Sequence, residues 1–237
     1  MALLVAAAWV VYDSASSDRF QVRSVQVLGN VLLSRSEIEN VAAVTGANVF
    51  WVDRGQVAAR LRALPLVQSA EVNVALPDAV EVRISERQPA AFWVSGGASY
   101  LVDREGIVLK AVDTDTQQAR ACAGQPCDPR LAPMPIVAQV GGPPLASGSR
   151  VDASALAASA QLATLLPRVG VEPLSFEWSV DTGLEVPTRD GWRARFDNQA
   201  SVDQQVASLR SIRDELTRTR TAAALIDVRF ADRPYVR

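Results

Sequence analysis

Histidine is absent from this sequence, and its absence excludes much enzyme chemistry. Catalytic triads built on imidazole cannot form, and most zinc sites are excluded with them. The two cysteines, Cys122 and Cys127, are too few for a zinc site that needs four thiolates. They fit two unrelated surface thiols or, if the segment lies outside the cytoplasm, a small disulfide loop. A redox pair is disfavoured because such motifs use C-x-x-C spacing.

Basic charge is also scarce. Lys110 is the only lysine, and the formal net charge of the chain is −2. A nucleic-acid surface needs clustered basic side chains, so the composition argues against one. The hydrophobic content of 49% is enough for a packed core and argues against disorder. A length of 237 residues fits one large domain or two small ones.

The chain starts with an uncharged apolar segment, ALLVAAAWVVY at residues 2–12, followed by a polar linker. Eleven residues span roughly 16 Å as a helix, about half of a hydrocarbon core of ~30 Å. We interpret residues 1–12 as a partial transmembrane anchor whose remainder lies upstream or was trimmed, and residues 13–19 as a linker. Trp9 and Tyr12 would suit the membrane interface. A buried element of a soluble domain is the alternative, and a signal-peptide core is disfavoured because no basic region precedes it.

Residues 20–88 have the pattern of a compact unit that begins with a strand. The alternation of Val25 and Val27 predicts that strand, and the opposite parity of Phe20 and Val22 predicts a bulge or bend before it.

Two helices follow, each with a start signal. Ser34 with Glu37 three residues later predicts a capping box, and Asp53 with Gln56 predicts another. Gly46 fits the position just after the first helix.

A hairpin closes this unit. Apolar residues alternate along 72–76 and 80–84, and Pro77 and Asp78 make the turn. The two amphipathic helices can cover the apolar face of these strands, so the predicted order is β-α-α-β-β.

Residues 89–231 predict a second domain of antiparallel, mixed α+β type, which makes the whole chain α+β. An alanine-rich helix is predicted at 152–166, a strictly alternating strand at 174–180 and an amphipathic helix that begins at Ser201. The segment from Leu225 to Phe230 predicts a closing strand, and residues 232–237 a C-terminal tail.

Enzyme readings find little support in the sequence. Asp113 with Asp115, or Glu86 with Asp103, are carboxylate pairs by sequence proximity or conjecture only, and a cell-wall hydrolase is the enzymatic alternative. A nucleophile elbow, a phosphate loop and a metal cluster are all missing from the sequence. Ser154 and Ser159 have no base of the usual type nearby. We therefore predict a protein that is not an enzyme and needs no cofactor, metal or small-molecule substrate.

The β-α-α-β-β unit resembles a POTRA domain, and its place beside a membrane anchor narrows the resemblance. Several stretches are similar to the FtsQ/DivIB family of bacterial cell-division proteins. They are FQVRSVQVLGN at 20–30, SRSEI at 34–38, GANVFWVD at 46–53, LVQSAEVNVALPDAVEVRISERQPAAFW at 66–93, DREGIVL at 103–109 and AAALIDVRFADRPYVR at 222–237. The resemblance covers nearly the whole chain and is weakest at 113–150.

The resemblance implies a non-enzymatic divisome scaffold with one membrane helix, an extracytoplasmic POTRA domain and a β domain. Its implied place is the cell membrane at the division septum. Its implied partners are the FtsB- and FtsL-type division proteins and, further on, the FtsW- and FtsI-type septal peptidoglycan synthases. A POTRA protein of outer-membrane assembly or secretion is one alternative, although such proteins usually carry several POTRA repeats. A generic extracytoplasmic adhesion module is another.

Strand addition is the predicted binding mechanism, because the unpaired N–H and C=O groups of an edge strand can pair with a partner strand. By pattern alone, an internal closing strand is the simpler interpretation; the resemblance favours an edge. Asp227 and Arg229 could pair with each other or with the partner, and Phe230 and Tyr235 are candidate anchors. Val25 and Val27 mark a second possible edge, whereas Trp51, Trp93, Trp178 and Trp192 are expected in the core. The candidate partner-binding residues are Leu225, Ile226, Asp227, Val228, Arg229, Phe230, Asp232 and Tyr235.

Overall fold

A computed structural model describes residues 1, 9, 17–112, 134–230 and 233–237 of the chain. The contacts divide the chain into two compact units, Met1–Arg87 and Gln88–Arg237. In the part of the chain so described, no helix is both long enough and apolar enough to cross a membrane. Most of the predicted anchor, both cysteines, Asp113, Asp115 and Asp232 lie outside the described residues.

The first unit has the predicted β-α-α-β-β order. Its three strands form one sheet in the order β1-β3-β2, with β1 parallel to β3 and β2 antiparallel to it. The elements are β1 (Ser24–Leu28), α1 (Arg35–Ala42), α2 (Arg54–Arg62), β2 (Val67–Ala75) and β3 (Ala79–Glu86).

Both helices start where the sequence predicts, but only the first capping box is complete. The Ser34 hydroxyl accepts the backbone N–H of Glu37, whose carboxylate accepts the backbone N–H of Ser34, so the capping box is complete. The Asp53 carboxylate accepts the backbone N–H of Gln56 at 3.0 Å. The end of α1 differs from the prediction: the left-handed cap is Ala43 at φ 48°, and Gly46 lies in the turn beyond it.

The turn after β1 is held by the end of the hairpin. Gly29 has φ +85°, and a Cβ on it would collide with the carbonyl oxygen of Ile84. The Glu86 carboxylate then accepts three consecutive backbone N–H groups, of residues 31–33, at 2.7–2.9 Å. This clamp ties the β1–α1 turn to β3, and the sequence pattern did not reveal it.

The second unit is a mixed sheet with two helices packed on it. Nine strands of the described residues pair in the order β12-β11-β10-β9-β8-β7-β4-β5-β6. They are β4 (Ala91–Ser95), β5 (Ala98–Val102), β6 (Val108–Val112), β7 (Ile136–Gln139), β8 (Phe176–Ser179), β9 (Gly183–Pro187), β10 (Arg193–Phe196), β11 (Leu225–Asp227) and β12 (Tyr235–Val236). The helices are α3 (Ala153–Leu165) and α4 (Val202–Thr219).

The α+β class is confirmed, but the sheet is not antiparallel throughout. The pairs β4–β7, β7–β8 and β10–β11 are parallel. Parallel neighbours need a long crossover, and α3 and α4 supply it for the second and third of these pairs. The sequence predicted both helices. It did not predict that each helix carries the chain back along the sheet, so that the strand after it runs parallel to the strand before it.

One face of the large sheet carries the core. Trp93 and Trp178 pack with ring centroids 5.5 Å apart, and Leu162 of α3 and Leu209 of α4 are fully buried in the same cluster. The predicted core positions of these two tryptophans are therefore correct, and Trp192 packs half-buried against the cluster. Burial of such side chains at about 25 cal/mol per Å² is the main driving force for this unit.

Candidate partner-binding edge

The large sheet ends at β12 rather than at β11. Ile226 pairs with Val236 and Asp227 with Tyr235, in antiparallel register. The prediction that Leu225 to Phe230 forms the last strand is thus wrong in two respects. The strand ends at Asp227, and it is covered by β12, which forms from part of the segment expected to be a tail. β12 runs antiparallel to β11, so a short return strand covers it.

One residue of β12 has backbone N–H and C=O groups that point away from the sheet. Arg237 exchanges both of its backbone hydrogen bonds with Leu225, at 3.0 and 2.9 Å. Alternate residues of an antiparallel strand point their N–H and C=O groups to opposite sides. The N–H and C=O of Val236 therefore point away from β11, toward the position of an added strand.

Exposed apolar side chains surround this edge. Phe230 is 66% exposed, Tyr235 59% and Val236 37%. Tyr235 shares a face with Asp227, whereas Val236 shares the core side of the sheet with Ile226. Three large apolar side chains left in water beside an outward backbone pair form a surface of the kind that partners bind.

The other predicted contact residues differ in accessibility. Ile226 and Val228 are fully buried in the core, so their side chains are unavailable to a partner. Leu225 is half-buried, and Asp232 lies outside the described residues. The predicted strand is three residues longer than β11, and for that reason these residues do not form one surface.

Asp227 and Arg229 pair with each other. The guanidinium donates to both carboxylate oxygens, at 2.7–3.1 Å, and the backbone N–H of Arg229 donates to the same carboxylate. Burial on its own would raise the pKa of Asp227, but the hydrogen bonds from Arg229 and the charges of Arg229 and Arg195 lower it below its ordinary value. The same bond raises the pKa of Arg229. The pair is therefore ionised at neutral pH.

This pair ends a ladder of charges across four strands. Glu185 of β9 lies opposite Arg195 of β10, with an ion pair at 2.6 Å, and Arg195 lies opposite Asp227 of β11. Arg193 pairs with both Glu177 and Glu185. We call Glu177, Glu185, Arg193, Arg195, Asp227 and Arg229 the charge ladder. It occupies the sheet face opposite the core and leads to Tyr235.

A groove of about 470 Å³ lies near this edge, between the end of α4 and the sheet. Its lining includes Trp192, Arg213, Arg220 and Ile226. The Arg213 guanidinium lies 5.6 Å from the Trp192 ring and donates to the carbonyl oxygen of Val169 at 2.7 Å. The groove therefore combines an aromatic wall with two cationic side chains and the carboxylate of Asp190.

The β1 edge of the first unit is less accessible to an added strand than the β12 edge. Val25 is buried and Val27 half-buried, so both valines serve the core more than the surface. The Arg35 guanidinium donates to the Val25 carbonyl oxygen at 2.5 Å, which occupies one acceptor of the edge. A strand added to β1 would have to displace this contact.

The carboxylates and serines considered for catalysis have structural roles wherever the structure describes them. Glu86 holds the β1–α1 turn, and Asp103 is buried and accepts the backbone N–H of Ile107 at 2.8 Å. Ser154 donates to Asp152, the cap of α3, and Ser159 donates to the carbonyl oxygen of Leu156. Within the described ranges, no three metal-ligating side chains cluster in a way that could hold a metal ion.

Trp51 is the clearest error of the sequence interpretation. It was expected in the core but is 69% exposed, and Phe50 beside it is 50% exposed. Both lie on a 3₁₀ turn, Val49–Trp51, of which only Val49 is buried. Val49, Phe50 and Trp51 are consecutive on one short turn, so their side chains cannot all point into the core. This spacing, just before the Asp53 helix cap, was the sequence signal that one or two of them are exposed.

Comparison with known proteins places these features in a family. The model for a POTRA domain of FtsQ type matches residues 20–87. The cell division protein FtsQ of Chloroflexus aurantiacus is 31% identical over 194 residues, covering 81% of this chain and 66% of that relative. FtsQ of Chloroflexus aggregans is 31% identical over 173 residues, covering 73% and 58%, and FtsQ of Streptomyces griseus is 36% identical over 99 residues, covering 41% and 48%.

The chain thus spans about three fifths to two thirds of the length of the two Chloroflexus relatives. The family match lies in the first unit, and the 194 aligned residues exceed the length of either unit, so the similarity to the first relative reaches both. The chain belongs to the FtsQ family of bacterial cell division proteins.

Proposed function

We propose that this protein is a non-enzymatic scaffold of cell division that binds FtsB- or FtsL-type partners at β12. Residues 1–12 contribute to a membrane anchor, and both folded units lie outside the cytoplasm at the septum. Through its partners the protein helps to control septal peptidoglycan synthesis by FtsW- and FtsI-type enzymes. The observation that carries the proposal is the outward backbone pair of Val236 beside exposed Phe230 and Tyr235.

The partner adds a strand beside β12 and extends the large sheet by one. Because β12 has two residues, backbone pairing alone gives little affinity, and the side chains must supply most of it. Tyr235 contacts the partner on the face of the charge ladder, and Val236 contacts it on the core side. A partner strand with apolar residues near these positions and an acidic residue near Arg229 fits this surface.

The groove beside α4 extends the interface on the core side. Ile226 lines it, so it begins one strand away from Val236. An acidic side chain from the segment that flanks the partner strand would meet Arg213 and Arg220 there. Charge complementarity of this kind selects partners and register more than it adds affinity.

A proline at Val236 tests the proposal. Proline removes the outward N–H of Val236 but none of the hydrogen bonds that join β12 to β11. We expect Val236→Pro to lose co-purification of FtsB- and FtsL-type proteins from the same cell, whereas Val236→Ala, which keeps the N–H, retains most of it. Equal capture by both variants, with thermal unfolding unchanged, would show that β12 accepts no strand.

Two further experiments test the proposed place and the proposed lack of catalysis. A tagged full-length protein should concentrate at the division septum, and a uniform membrane distribution would contradict the proposed role. The purified protein should leave isolated peptidoglycan intact, and reproducible cleavage would favour the hydrolase alternative.

A further inference from the structure

The exposed aromatic pair of the POTRA domain lies where the chain enters that domain. The segment Asp18–Phe20 forms a 3₁₀ turn, and the Phe20 ring packs against Phe50 with centroids 5.0 Å apart. Val22 forms two backbone hydrogen bonds with the segment before the turn that carries Phe50. Its N–H donates to the Ala47 carbonyl and its carbonyl accepts from the Gly46 N–H, both at 2.9 Å. The start of the domain and the turn that carries Phe50 and Trp51 are therefore one rigid corner.

The two aromatics are held outward by specific contacts. The Asn48 side chain caps the 3₁₀ turn by accepting the backbone N–H of Phe50 at 2.9 Å, and the Asn48 carbonyl accepts the N–H of Trp51 at 2.9 Å. Val49 fills the core below them. The domain thus presents a large indole to water on a turn with no conformational freedom to bury it.

The sequence restricts what can lie opposite this corner. Six peptide units separate Tyr12, the end of the apolar segment, from Asp18, and they span at most about 20 Å when fully extended. If the apolar segment lies in a membrane, the corner stays within that distance of its surface. This step rests on the membrane placement in the proposed function.

The charges around the corner suit an anionic surface. Arg19, Arg23 and Arg54 are exposed on the two segments that form it. The two carboxylates of the same segments accept local hydrogen bonds, Asp18 from the Gln21 amide and Asp53 at the cap of α2. Three arginines against two carboxylates leave the corner with a formal charge of +1. Tryptophan prefers the headgroup region of a bilayer, and arginines near it are attracted to anionic lipids.

We propose that Phe50 and Trp51 insert into the outer headgroup region of the membrane and that Arg19, Arg23 and Arg54 bind anionic lipid headgroups there. This contact fixes the orientation of the POTRA domain relative to the bilayer, which a flexible linker alone would leave free. The protein is then attached at two places, through its apolar segment and through this corner. The occupant is a phospholipid surface rather than a partner protein.

Tryptophan fluorescence in vesicles tests both attachments separately. The full chain is bound to vesicles of phosphatidylcholine and phosphatidylglycerol, with part of the lipid brominated on the acyl chain near the headgroup as a quencher. The contributions of Trp9 and Trp51 are obtained by difference, from the Trp9→Phe and Trp51→Phe variants. The other three tryptophans provide the baseline: Trp93 and Trp178 are buried, and Trp192 is half-buried.

We expect bromine to quench both Trp9 and Trp51. Quenching of Trp9 without Trp51 would overturn the corner contact and leave the membrane anchor standing. Quenching of neither would overturn the anchor and the corner together. A blue shift of Trp51 in the absence of vesicles would show that a second copy of the chain covers it, which also contradicts the proposal.

A displaced tryptophan controls for nonspecific adsorption. Val31 is exposed beyond the far end of β1, so Val31→Trp in the Trp51→Phe background places an indole away from the corner. Its fluorescence should not be quenched, and quenching as strong as that of Trp51 would mean that the domain adsorbs in any orientation. Arg19→Gln and Arg54→Gln should each weaken quenching of Trp51 by reducing lipid contact about fivefold.

Discussion

The β1 and β12 edges show that the length of an edge strand does not determine what it offers a partner. β1 has five residues, yet its valines pack inward and Arg35 occupies the Val25 carbonyl. β12 has two residues, yet Val236 directs both backbone groups outward and exposed aromatics stand beside it. A long edge can be closed by side chains, whereas a short one gains binding capacity from its surroundings.

Removing the core support of the β12 edge should have the largest effect. Ile226 is 2% exposed, so Ile226→Ala should lower the free energy of unfolding by about 2–5 kcal/mol through lost burial and the cavity left behind. Leu28→Ala at the β1 edge, where the side chain is 42% exposed, should change it by less than about 1 kcal/mol. Chemical denaturation measures both, and similar losses would remove the distinction between the edges.

Truncating an exposed anchor should affect binding rather than folding. Tyr235→Ala should weaken partner binding by about thirtyfold, the effect of a hot-spot residue, because the ring is lost from the centre of the interface. The melting temperature should stay within a degree or two, since Tyr235 lies largely in water. The matched variant Leu28→Ala should bind as the wild type does. Calorimetry with the purified partner would contradict the account if Leu28→Ala were the weaker binder.

Removing the ion-pair partner of Asp227 should lower the free energy of unfolding by less than the Ile226→Ala substitution does. Arg229→Met keeps the length of the side chain but leaves the buried Asp227 carboxylate without its guanidinium donor, at a cost of about 1–2 kcal/mol. Arg35→Met at the β1 edge removes a mostly exposed guanidinium and should cost about 0.5 kcal/mol. The reverse order in thermal unfolding would show that the charge ladder contributes little to the β12 edge.

The Asp227–Arg229 pair should also make the stability of the protein depend on pH, with a smaller change than the substitutions above. The pKa of Asp227 in the folded protein is below its ordinary value of 3.8, so its ionised form adds stability that is present above about pH 4. That stability is lost as the pH falls through the lowered pKa. Asp227→Asn should therefore lose less stability than the wild type on acidification from pH 4 downward. Parallel pH profiles for the two proteins would contradict this assignment.

Local signals predicted most of the fold. Ser34, Asp53 and Ser201 each begin a helix with the hydrogen bond that their position implies. The 72–84 hairpin forms because alternation and the Pro77-Asp78 turn specify the same register. In each case the information lies within a few residues of the element, so one sequence is enough.

The candidate site was predicted in part, because its decisive features are not local. β12 is two residues long and follows Pro234, so periodicity could not mark it, and only its pairing with β11 makes it a strand. The parallel pairing of β10 with β11 depends on how α4 returns the chain. The Glu86 clamp joins residues more than fifty positions apart. The exposure of Trp51 follows from the turn that carries it, not from its own character.

Amide hydrogen exchange, followed by NMR with and without the FtsB-type partner, tests the central claim most directly. Strand addition at β12 predicts that the Val236 amide, which points away from β11, becomes strongly protected when the partner binds. The amides of β1 should exchange at the same rates in both samples. Protection at β1 with no change at Val236 would contradict the account and move the binding edge to the POTRA domain.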